Sequence, residues 1–194
     1  MGEIKSAFEK AMERVEKLGK ATPEELAKLE ALPLGNSVAA RYLREPEFDL
    51  KGELAKFPEP KRKFVLEGAK ETLLSNIVLP QTAPARESTK RAMQGVLNLK
   101  QNRSKAQAAI AKMEHLLGYY DQARQQTYVK VKESFEAKLR ENPAILQQMG
   151  IRGGRVEIET LPQFQMEARR VLTELNNQYE RVLDEQKKEL KSIP

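Results

Sequence analysis

Apolar residues recur at steps of three and four along most of the chain. Ile4, Ala7, Phe8, Ala11, Met12, Val15 and Leu18 line one side of an opening helix that Gly19 ends. Such a stripe needs a surface to cover it. Thr22, Pro23 and Glu25 then form a capping box for a short helix to about Leu32. Between Pro33 and Pro60 the chain is punctuated by Pro33, Gly35, Pro46, Gly52, Pro58 and Pro60, which predicts a folded connector holding two short helical pieces, "SVAARYLRE" and "DLKGELAKF". "KFVLEGAKETLLSNIVLP" follows, with Phe64, Val65, Ala69, Leu73, Leu74, Ile77 and Val78 as a broad apolar face that Pro80 ends.

Over residues 85–100 the helical wheel gathers Ala85, Ala92, Met93, Val96, Leu97 and Leu99 on one arc, with Arg86, Glu87, Lys90, Arg91, Gln94 and Asn98 opposite. Ser104, with Gln107 three residues on, predicts the cap of a long helix to Glu141. Ile110, Met113, Leu117 and Tyr120 keep heptad spacing; Arg124 and Thr127 interrupt it before Tyr128, Val131, Phe135 and Leu139 resume, as at a stutter or a kink. Asn142 and Pro143 begin a short helix that Gly150 closes. Val156 and Ile158 alternate with charged neighbours, which predicts one short extended segment near 155–160. Thr160 and Gln163 read as a capping box for a last helix to about Lys191, with Ala168, Leu172, Leu175, Tyr179 and Val182 in heptad register. That helix is expected to pair antiparallel with the 104–141 helix.

Composition sharpens this picture. Of 194 residues, 102 are Ala, Glu, Lys, Leu or Arg, a bias that goes with long helices and coiled coils. Few aromatics and 32% charged residues suit an elongated shape with much wet surface. The absence of cysteine removes disulfides, thiolate nucleophiles and Cys-based zinc sites. No apolar run reaches membrane-spanning length, and the N-terminal stretch is acidic and amphipathic rather than signal-like, so a cytoplasmic protein is expected. Gly2 and Ser6 match a myristoylation pattern that is too common to weigh.

The net charge of +6 is concentrated in the middle. Residues 61–130 carry 13 basic and 5 acidic groups, against 10 and 12 before them and 11 and 11 after. Between residues 86 and 112, Arg86, Lys90, Arg91, Lys100, Arg103, Lys105 and Lys112 are opposed only by Glu87, a candidate polyanion-binding surface. Helical periodicity alone explains Lys90 and Arg91, and there is no recognised nucleic-acid motif or interleaving of exposed aromatics.

The segments "GEIKSAFEKAMERVEKLG", "AARYLRE", "EGAKETLLSNIVLP", "TKRAMQG" and "VEIETLPQFQMEARRVLTELNNQYE" resemble a family of uncharacterised bacterial proteins, a domain of unknown function, nearly end to end. The resemblance implies no activity, cofactor or functional residue.

Other constellations favour structure over chemistry. His115 is the single histidine, and Glu114 beside it falls on another helical face, so no acid/base pair forms. "GIRGGR", with Arg152 and Arg155, could make an anion nest, but it lacks the phosphate-loop pattern and reads as a helix-to-strand turn. Among Tyr119, Tyr120, Tyr128 and Phe135 the last three sit at core spacing.

The expected architecture is all-α: a multi-helix head over residues 1–100 and a long antiparallel helical hairpin, a coiled-coil-like arm, over 101–194, either as two parts or as one continuous domain. The expected role is non-enzymatic, without metal, cofactor or membrane: a helical interaction or scaffold protein, self-associating as a homodimer or binding another protein. Ile110, Met113, Leu117, Tyr120, Leu172, Leu175, Tyr179 and Val182 are the candidate helix-partner interface, closed either within one chain or across a dimer. The alternative is RNA, DNA or another polyanion bound through residues 86–112.

Overall fold

A computed structural model describes residues 22–142 and 157–194. The helix expected over residues 4–18, the short helix expected between Pro143 and Gly150, and Arg152, Arg155 and Val156 lie outside them. Among the described residues there are six α-helices, one 3-10 turn and no strand. The chain divides into two compact units, Met1–Thr72 and Leu73–Pro194, so the break expected at 100/101 falls inside the second.

In the first unit, α1 (Pro23–Arg44) starts at the predicted box: Thr22 Oγ1 accepts from the Glu25 amide at 3.2 Å, and the Thr22 amide donates to Glu25 Oε2 at 2.7 Å. The helix does not stop near Leu32 but continues through Pro33 and Gly35. Pro33 is exposed, so its ring and the Leu29 carbonyl it leaves without an amide face water, where the loss is cheapest. The packed side of α1 carries Ala31, Gly35, Ala39 and Tyr42. Asp49 caps the short α2 (Leu50–Ala55) by accepting from the Gly52 amide at 3.0 Å, and Leu50 and Leu54 are buried.

The helix α3 (Arg62–Ser75) contributes its residues up to Thr72 to this unit. It runs in the same direction as α1: Glu24 pairs with Lys63 at 2.5 Å, Lys28 with Glu67 at 2.7 Å, and the Asn36 amide group lies 3.1 Å from the Thr72 hydroxyl. Two glycines allow the close crossing. A Cβ on Gly35 would stand 2.0 Å from the Val65 carbonyl oxygen, and one on Gly68 2.3 Å from that of Leu32.

In the second unit, Thr82 caps α4 (Ala83–Leu99), which buries Thr89, Ala92, Met93, Gly95 and Val96, much of the predicted arc. The Thr89 hydroxyl is fully buried and lies 3.2 Å from the Val78 carbonyl oxygen, tying the segment before α4 to the helix. α5 (Arg103–Glu141) is one unbroken 39-residue helix through Arg124 and Thr127. Its cap is Asn102, whose side chain accepts from the Lys105 amide at 3.1 Å, and not Ser104.

Ile158–Thr160 is a 3-10 turn where an extended segment was expected. The amides of Thr160 and Leu161 donate to the carbonyls of Glu157 and Ile158 at 3.0 Å, and Ile158 packs on the neighbouring core. Among the described residues no strand is present to pair with an extended run at Ile158. α6 (Pro162–Ser192) is capped at Leu161 without a side-chain bond. The Thr160 hydroxyl donates to the Glu157 carbonyl at 2.7 Å, so the predicted Thr160/Gln163 box does not form.

Contacts between α5 and α6 run in opposite sequence directions: Lys112 with Glu189 at 2.8 Å, Tyr120 with Asn176, Phe135 with Phe164, and Lys138 with Glu167 at 2.8 Å. Near the far end of α5, Val131, Phe135, Leu139, Leu161, Phe164 and Ala168 form one buried cluster, with the Lys132–Glu159 pair beside it.

Candidate interaction surfaces

Of the expected interface residues, Tyr120 and Tyr179 meet inside one chain. Ile110, Met113, Leu117 and Tyr120 are buried, while Leu172, Leu175 and Tyr179 are half-buried. Tyr120 meets Tyr179 edge-to-face at 5.4 Å, and its hydroxyl donates to Asn176 Oδ1 at 2.8 Å. Val182 departs from the expectation: it is exposed, and Leu183 is the buried residue. The α6 seam therefore passes from Tyr179 to Leu183, a step of four, where strict heptad counting placed 182.

The seven central cations are dispersed by their contacts. Arg86 pairs with Asp121, Lys90 with Glu87 at 3.4 Å, and Lys112 with Glu189. Arg91 is half-buried on α4. Lys100 is only 7% exposed, and its ammonium donates to the main-chain oxygens of Lys191, at 3.1 Å, and Ile193. It is committed inside the fold, as a buried ammonium must be. Arg103 and Lys105 are exposed, with no ion-pair partner among the described residues.

His115 is exposed on α5. Among the described residues no group of three His, Asp or Glu side chains is placed to hold a metal ion, and no helix is long and apolar enough to cross a membrane. An open hollow of about 570 Å³ in the first unit is lined by Arg41, Glu45, Phe48 and Asp49 among others. Those groups already serve the fold: Arg41 pairs with Glu45 and lies 4.7 Å from the Phe48 ring centre, and Asp49 caps α2.

What sequence reasoning passed over is the outer face of α1. Leu26, Leu29 and Leu34 are 51%, 67% and 43% exposed. At about 100° per residue, Leu26, Leu29 and Pro33 share one side, bordered by Leu34, while Ala31, Gly35, Ala39 and Tyr42 occupy the opposite side. The signal was present as leucines three apart, but reading Pro33 as a stop cut the stripe in two. On α5, Tyr119 also points outward, at 65% exposure.

No curated protein and no solved structure matches the chain. A family model does match it, over residues 51–192, which takes in α2 from its second residue and the whole of α3 to α6. The chain belongs to that family, DUF6657, a family of unknown function.

Proposed function

We propose that the protein is a non-enzymatic, cytoplasmic helical interaction protein that associates with a second copy of itself, and that α5 and α6 form an antiparallel, coiled-coil-like hairpin arm. The observation that carries self-association is the leucine face of α1. Three leucines stand in water on the side of a helix whose other side is already packed, an arrangement suited to helix-on-helix docking. Tyr120 on α5 meets Tyr179 on α6, which supports pairing of these two helices within one chain, and the α1 leucines stay open to a second copy. Lysine-directed cross-linking of the unmodified chain should give a dimer band that disappears in Leu26→Glu/Leu29→Glu. A band of undiminished intensity in that variant sinks the reading.

A second reading, polyanion binding through residues 86–112, draws on the exposed Arg103 and Lys105, with Lys90 only loosely paired. It predicts retention on heparin that falls steeply with salt and is lost on reversing those three charges. Retention unaltered by the reversal would exclude it.

A further inference from the structure

We propose that residues 187–194 are a strap, latched by Lys100 and the amides of Gln101 and Asn102, that opens as a unit separate from the rest of the α5/α6 seam. The turn between α4 and α5 does three things at once. The Lys100 amide closes α4 on the Leu97 carbonyl at 3.4 Å, and Asn102 caps α5. The same three residues hold the end of α6: Lys100 Nζ donates to the oxygens of Lys191 and Ile193, while the amides of Gln101 and Asn102 donate to the Pro194 oxygen at 3.0 and 3.2 Å.

The chemistry on both sides is complementary. The last carbonyls of a helix lack intrahelical donors and form the negative end of its dipole, so a buried ammonium satisfies them and is satisfied by them. The bonds from Lys100 Nζ and from the Gln101 and Asn102 amides all end on main-chain oxygens of the strap. The latch therefore reads backbone position, not the side chains of Ile193 or Ser192.

The strap is separable because the packing just before it is imperfect. Gln186 Oε1, between the buried Leu183 and Leu190, has no hydrogen-bond partner among the described residues, which weakens that stretch. Beyond it, Leu190 is buried and the exposed Lys112–Glu189 pair ties α6 to α5. Opening would release the Lys100 ammonium beside Arg103 and Lys105, the state that any polyanion-binding role for Lys100 requires.

Hydrogen exchange of the full chain tests this. In the unmodified protein residues 186–192 should open at lower denaturant than residues 164–183, and Lys100 should be among the slowest lysines to acetylate. Lys100→Met should speed exchange of residues 186–192 and of the 101 and 102 amides at least tenfold, leaving residues 128–141 and 164–175 unchanged; Ile193→Ala should change neither. Exchange of α6 as one cooperative unit in the unmodified chain, rapid acetylation of Lys100, or unaltered rates in Lys100→Met would overturn the proposal. The unmodified-chain measurements decide it even where the variant fails to fold.

Discussion

Gly35 on α1 lies against Val65 on α3 so closely that a Cβ at position 35 would be 2.0 Å from the Val65 carbonyl oxygen. Backbone, not a flexible side chain, is in the way, so the crossing itself would have to open. Gly35→Ala should destabilise the protein by at least about 2 kcal/mol in denaturant unfolding, despite alanine's better helix propensity. Gly118→Ala makes the opposite prediction. A Cβ at Gly118, exposed on α5, meets nothing within 4 Å, so this change should stabilise by about 0.5–1 kcal/mol. Equal effects at the two glycines would contradict the crossing.

Tyr120 is fully buried, with its hydroxyl bonded to Asn176. Tyr120→Phe should cost about 1 kcal/mol, since it leaves the Asn176 oxygen without its donor. Burial, reinforced by Asp121 and Glu180 and opposed by Arg124, holds the phenol pKa above its ordinary value. The folded chain thus keeps this proton more tightly than the unfolded chain. Its contribution is complete below about pH 10 and is lost as pH rises through the higher folded value. Unfolding followed against pH should show stability falling above that point, with a shallower fall in Tyr120→Phe.

At the acid end the sign reverses. The carboxyls of Glu24, Glu30 and Glu159 are held below their ordinary range by hydrogen bonds from Lys63, Lys61 and Lys132, and Glu25 by the Thr22 amide. Their stabilisation is present above the ordinary value of 4.5 and fades as pH falls through the lowered folded values. All four are solvent-exposed, so the effect should be modest, and for the three lysine pairs smaller still in high salt. A melting temperature unchanged between pH 5 and pH 2 would argue against these bonds in solution.

The helical class was legible because period survives tertiary context: Ile110, Met113, Leu117 and Tyr120 are buried where their spacing puts them, as are Val131, Phe135 and Leu139. Local punctuation was less legible. Pro33 reads as a stop, yet a proline on the wet side of a helix loses only a bond that water can replace. Ser104 and Thr160 have capping side chains, but the turns before α5 and α6 place Asn102 and Leu161 at the boundary. Lys100 looked like one more surface cation because nothing nearby in sequence reveals that the end of α6, more than ninety residues on, returns to its ammonium. The outer leucines of α1 were hidden by the same misread proline.

Self-association through α1 is tested most directly by light scattering on the unmodified chain at low and high salt, with absorbance at 260 nm recorded on the same peak. A protein-only species of twice 22.1 kDa at both salts is the predicted result, because an apolar interface is not screened. A mass of 22.1 kDa under both conditions would contradict it.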